Sequence, residues 1–139
     1  MDKLLSGQRV LVVEDEMLVL MHTEDMLADL GCEAVTAAAT VDQALALIDS
    51  ETFDVAMLDM NLDGCRTHAV ADALDAHGVP FVFATGYTAV EMGDGHQDRP
   101  VLNKPYPPRK LVEALTVLLA RRRQKKIFST PPQAAASAR

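Results

Sequence analysis

Short, continuously apolar runs recur along this chain, and nearly every one gives way at its carboxyl end to residues that carry charge or a hydroxyl. Arg9-Val10-Leu11-Val12-Val13 is followed by Glu14-Asp15, and Asp54-Val55-Ala56-Met57-Leu58 by Asp59. Pro80-Phe81-Val82-Phe83-Ala84 is followed by Thr85-Gly86, and Val101-Leu102 by Asn103-Lys104-Pro105. Runs this short and this apolar fit strands covered on both faces. Glu33-Ala34-Val35-Thr36-Ala37 is a weaker member of the set, second in chain order.

Helical patterns fill the intervals. Val19, Met26 and Leu30 share one stripe that stops at Gly31, a natural residue for the left-handed position after a helix. Thr40 and Gln43 form a capping-box pair that opens a helix with Val41, Ala44, Leu45 and Ile48 on one face. Val70, Ala73 and Leu74 fall together before Gly78, and Leu111, Ala114, Leu115 and Leu118 follow Pro107-Pro108. Strands that alternate with helices must pair in parallel, because each strand returns over a crossover helix. The expectation is an α/β domain of five strand-helix units. Between Tyr87 and Pro100 the chain carries Gly93, Gly95 and short polar residues, so the fourth helix is expected to be short or mobile.

In an open parallel sheet the carboxyl ends of the strands share one edge, where ligands bind at the reversal of strand order. Glu14, Asp15, Asp59, Thr85 and Lys104 are therefore expected to converge. Two carboxylates about 4 Å apart repel by roughly 4 kcal/mol at an effective dielectric of 20, so the cluster calls for positive charge. Hard oxygen ligands with room for water and phosphate oxygens describe a magnesium site, with manganese as the close substitute. Lys104 supplies a second, movable positive charge and Thr85 a hydroxyl donor.

Charge distribution narrows the function. Residues 1–120 hold all 20 acids against seven bases, whereas residues 121–139 hold six bases and no acid. So acidic a body repels a phosphate backbone, which argues against a nucleic-acid-binding module. The basic cluster Arg121, Arg122, Arg123, Lys125, Lys126 reads either as a solvated helix end and disordered tail or as a binding patch, the former being favoured. Cys32 and Cys65 form no CxxC pair and no signal-like run follows Met1, which fits a cytoplasmic protein. No apolar stretch approaches the roughly 20 residues a membrane-spanning helix needs. His22, His68, His77 and His96 lie on different elements without zinc-ligand spacing, and the seven methionines read as core filler.

Taken as an ordered set, Glu14-Asp15, Asp59, Thr85 and Lys104-Pro105, each at a strand end, resemble the receiver domain of bacterial response regulators over about residues 8–122. The stretch from Pro80 to Tyr87 looks like the signature of the subgroup called FAT GUY, whose members often stand alone and are associated with HWE and related histidine kinases. The resemblance implies a flavodoxin-like, doubly wound fold with five parallel strands in the order 2-1-3-4-5 and five helices. It implies a receiver domain over residues 1–123, followed by a disordered tail rich in bases, Pro, Ala and Ser over residues 124–139.

The resemblance also implies roles. Asp59 would accept a phosphoryl group from a histidine kinase, acting as a phosphoacceptor and not as a multiple-turnover enzyme. Asp15, Asp59 and the carbonyl of Asn61 would hold the metal, with Glu14 acting through water. Thr85, Lys104 and the backbone amides of Met60, Asn61 and Gly86 would bind the phosphoryl oxygens. A cis peptide between Lys104 and Pro105 would aim the lysine inward.

Departures from the family pattern matter as well. Many receivers carry an aromatic residue three positions before the lysine, and here that position is Val101. The paired movement of that aromatic with the threonine, here Thr85, is therefore not expected in its usual form. Tyr87 is either its substitute or an ordinary half-buried tyrosine. The loop after Asp59 lacks the family's usual proline and reaches Gly64 within five residues, so its geometry is expected to differ.

Three functional classes follow: a phosphoacceptor switch, carrier or sink whose partners are a histidine kinase and a downstream or phosphotransfer protein; an interaction module that works without phosphorylation; and a small phosphatase with Asp59 as nucleophile. The intact acidic set disfavours the second. Asn61, where a second acid is needed, disfavours the third. No output domain is recognisable after residue 123, and nothing in the sequence fixes an oligomeric state.

Overall fold

A computed structural model of the chain describes residues 4–62, 65–85, 101–104 and 106–120. In chain order its elements are β1 (Arg9–Val13), α1 (Met17–Asp29), β2 (Ala34–Ala38), α2 (Val41–Ser50), β3 (Val55–Asp59), β4 (Asn61–Leu62), β5 (Cys65–Arg66), α3 (His68–Ala76), β6 (Phe81–Thr85), β7 (Val101–Asn103) and a helix over residues 108–120, here α4. Strands β2-β1-β3-β6-β7 form one sheet in that order, every neighbouring pair parallel. This is the doubly wound 2-1-3-4-5 order with the reversal between β1 and β3. The stretch expected to hold a further helix, and the tail, lie outside the described residues.

Side-chain alternation on the central strands splits the core in two. Leu11, Val13, Ala56, Leu58, Phe81 and Phe83 face α2 and α3, meeting Ala44, Ile48, Val70 and Leu74. Phe81 and Phe83 meet edge to face, centroids 5.3 Å apart. Val10, Val12, Val55, Met57, Val82 and Ala84 face the other way, toward Met26 and Leu27 of α1 and Leu111, Leu115 and Leu118 of α4. All five residues of β3 and of β6 are buried, as continuously apolar strands require.

The helix ends obey local rules. Thr40 accepts a hydrogen bond from the Gln43 amide at 3.1 Å, and the Gln43 side chain reaches back to the amide of Ala39, one residue before the cap. Helices α1 and α3 both end on a left-handed glycine, Gly31 and Gly78. In each case the next residue donates back across the last turn, Cys32 to the Leu27 carbonyl and Val79 to that of Leu74.

Three features depart from the sequence reading. Residues 61–66 contain a small antiparallel hairpin, Asn61 opposite Arg66 and Leu62 opposite Cys65, where a loop was expected. The buried stripe of α1 includes Thr23 with Met26 and Leu27, while Val19 is only half-buried. Finally, Leu5 is fully buried, its amide donating to the Leu30 carbonyl at 2.9 Å, so the chain is already packed before β1.

Candidate functional site

Glu14 follows β1 directly and its amide donates to the carbonyl of Ala38 at the end of β2, which carries the ladder one residue past the strand. Asp59 closes β3, in register with Ala84, and Thr85 closes β6, in register with Asn103. Lys104 follows β7, its amide donating to the Thr85 carbonyl at 2.8 Å. The parallel register thus brings four strand ends to one rim.

Glu14, Asp15 and Asp59 each offer a carboxylate oxygen, and these oxygens lie within 4.8 Å of one another. Glu14 and Asp59 are buried, whereas Asp15 is exposed at the mouth. The Lys104 ammonium sits among carboxylates, 2.9 Å from Asp59 Oδ2, 2.9 Å from Glu14 Oε1 and 3.2 Å from Glu16 Oε1. Glu16 is 63% exposed along its side chain, and its amide donates to Glu14 Oε2 at 3.1 Å.

Electrostatics follow from this packing. Burial alone disfavours the charged form of Lys104, but its hydrogen bonds to Asp59 and Glu14 outweigh that cost and hold its pKa above the usual lysine range. For Glu14 burial wins: the carboxyl is pushed above its ordinary 4.5, although bonds from Lys104 and the Glu16 amide pull the other way.

The donor set fits a hard divalent cation. It consists of carboxylate oxygens, two of them desolvated and sharing a single lysine, which suits magnesium or manganese better than a metal that prefers nitrogen or sulfur. Glu14, Asp15 and Asp59 would hold such an ion.

The remaining expected residues divide. Met60 is buried behind Asp59, and the Asn61 backbone opens β4. Thr85 is fully buried, and Val101 pairs with Phe83 at the sheet edge. Gly86, Tyr87 and Pro105 lie outside the described residues.

Sequence reasoning missed three neighbours. Glu16, directly after the Glu14-Asp15 pair, was not among the expected site residues. Thr67, fully buried, donates its hydroxyl to the Asp59 carbonyl at 2.6 Å, and only the position of the hairpin reveals that bond. Tyr106 packs beside the site with its hydroxyl 2.7 Å from Thr23 Oγ1. An aromatic residue just after Lys104-Pro105 was the available signal for it.

Comparison with known proteins agrees with this geometry. The family model described as the response regulator receiver domain matches residues 10–116. No curated protein matches. Among solved structures, the solution structure of SdrG from Sphingomonas melonis Fr1 is 42% identical, with TM-score 0.74 over 81% of this chain and 96% of that chain. A BeF3-activated conformation of SdrG, from Pseudomonas melonis Fr1, is 41% identical with TM-score 0.72, covering 82% of this chain and 98% of that one. A CheY-like receiver domain protein from Methanospirillum hungatei JF-1 is 27% identical with TM-score 0.76, covering 85% and 98%.

Proposed function

The chain belongs to the response regulator receiver domain family, and from that premise we propose that it accepts a phosphoryl group from a histidine kinase on Asp59. The observation that carries this reading is the meeting of Asp59 with Glu14, Asp15 and Lys104 at one rim of the sheet. Asp59 is the carboxylate that closes the central strand β3 and touches the lysine directly.

In the transfer, an Asp59 carboxylate oxygen forms a bond to phosphorus as the bond from phosphorus to the kinase imidazole nitrogen breaks. The departing imidazole leaves neutral or takes up a proton, and Asp59 becomes an acyl phosphate. Such chemistry rests mainly on in-line positioning and on neutralising the charge spread over the phosphoryl oxygens. Lys104, already charged and within reach, supplies one neutralising contact, and the Thr85 hydroxyl and the amides of Met60, Asn61 and Gly86 are assigned the others. Asp15, Asp59 and the Asn61 carbonyl would hold magnesium, with Glu14 acting through water, and the ion would supply further positive charge to those oxygens.

Within this reading the protein is a cytoplasmic phosphoacceptor of the FAT GUY subgroup served by an HWE or related kinase. It works as a switch, a phosphorelay carrier or a phosphate sink, and not as a multiple-turnover enzyme. Among the described residues no helix is long and apolar enough to cross a membrane.

Phosphotransfer profiling tests the proposal. Each autophosphorylated histidine kinase of the same cell is mixed with the wild-type chain and with Asp59→Asn in magnesium. Rapid transfer from one kinase to wild type alone supports the reading. Equal binding of wild type and Asp59→Asn to a partner, with no transfer from any kinase, would instead favour an interaction module that works without phosphate.

A further inference from the structure

Lys104 leaves the sheet at its edge. Strand β7 has three residues and, among the described residues, pairs only with β6. The Lys104 amide makes a ladder bond to Thr85, and four residues later α4 begins. On that short connection Tyr106 is 7% exposed, and its hydroxyl meets Thr23 Oγ1 at 2.7 Å in a buried contact.

Thr23 is itself an unusual choice. It is 1% exposed and lies on the buried face of α1 beside Met26 and Leu27, a position an apolar residue would fill without an unmet hydroxyl. Burying two hydroxyls is costly unless they satisfy each other, and when they do the bond fixes direction as well as distance. Helix α1 begins immediately after Glu14-Asp15-Glu16. The segment that leads into α1 therefore carries Glu14 and Glu16, two of the three acids on the Lys104 ammonium, and α1 itself carries Thr23, which holds the side chain two residues beyond that lysine. Thr23, Tyr106 and Lys104 also line one shared cavity of about 480 Å³. A long lysine side chain beside open space has rotamers to lose unless its base is fixed.

We infer that Tyr106 is a positioning residue for phosphoryl transfer: its hydroxyl, bonded to Thr23, clamps the connection after β7 to α1 so that Lys104 is held over Asp59. This rests on the phosphoacceptor reading above and adds Thr23 and Tyr106 to the residues named there. The effect passes through Lys104, so it exists only while that side chain is present.

The test measures the rate of phosphorylation by acetyl phosphate at saturating magnesium, followed by intact mass. Tyr106→Phe and Thr23→Val are each expected to slow the reaction roughly three- to tenfold, the range that the net loss of one hydrogen bond corresponds to. Thr23→Ser, which keeps the hydroxyl, is expected to stay within about twofold of wild type on the same scale. In a Lys104→Ala background, adding Tyr106→Phe should change nothing further. Tyr106→Phe reacting as fast as wild type, Thr23→Ser as slow as Thr23→Val, or an equal loss with and without Lys104 would each overturn the inference. Absence of any phosphoryl adduct on wild type is a different result, which sinks the parent reading and this one with it.

Discussion

The Lys104 ammonium and the Asp59 carboxylate, 45 residues apart in the chain and at the ends of strands β7 and β3, which are not neighbours, meet at 2.9 Å. Strand β6 lies between theirs, so the lysine reaches across the end of β6 to make the contact. The same ammonium serves Glu14, which makes it the shared counter-charge of two buried acids.

Removing that counter-charge takes a charged partner from both acids in a partly desolvated place. Lys104→Ala is therefore expected to destabilise the metal-free protein by on the order of 2 kcal/mol. Magnesium should restore more stability to this variant than to wild type, because the ion takes over the neutralising role. Denaturant unfolding with and without magnesium checks both statements.

Glu14 gives the pH dependence. Its folded-state pKa is raised by burial above the ordinary 4.5, so the folded protein holds this proton more tightly than the unfolded chain does. The stabilising contribution is fully present below pH 4.5 and is lost as pH rises through the raised folded value. Above that value the ionised Glu14 is thus a cost in the metal-free state. Glu14→Gln should raise the melting temperature without magnesium and weaken magnesium uptake. Calorimetric titration of wild type should show uptake strengthening as pH passes upward through the Glu14 value and levelling above it.

Thr67 supports Asp59 from beneath, its hydroxyl bonded to the Asp59 carbonyl at 2.6 Å. Thr67→Val keeps the shape and removes the donor. The expected loss is about 1 kcal/mol of stability, the net worth of a buried neutral hydrogen bond. Phosphorylation should slow while the fold, followed by circular dichroism, is retained.

Much of this arrangement was legible in the sequence. Continuous β-branched runs identified the strands of the main sheet, and acids, hydroxyl and lysine at carboxyl ends placed Glu14, Asp15, Asp59, Thr85 and Lys104 at one rim. The observed strands end one residue later in several cases, because ladder pairs such as Asp59 with Ala84 and Thr85 with Asn103 extend pairing into the polar residues. What escaped has physical reasons. A hairpin with two residues per strand, Asn61–Leu62 against Cys65–Arg66, is too short to show alternation. Thr23 breaks the apolar stripe of α1 because its partner, Tyr106, is 83 residues away. Glu16 meets Lys104 only because the pairing of β7 with β6 brings that lysine, 88 residues away in the chain, to the same rim.

Leu5 is the clearest consequence of packing that the sequence left unmarked. It is fully buried with Met26, Leu27 and Leu118 against the same face of the sheet. Leu5→Ala should cost about 3 kcal/mol, within the range for truncating a core leucine, and leave the rate of phosphorylation nearly unchanged under native conditions. Urea unfolding and the acetyl phosphate reaction measure the two separately.

Intact mass after incubation with acetyl phosphate and magnesium tests the central claim most directly. One phosphoryl adduct is expected on wild type, none on Asp59→Asn and none when the metal is chelated. An adduct of equal yield on Asp59→Asn, or no adduct on wild type at any magnesium concentration, would contradict the account.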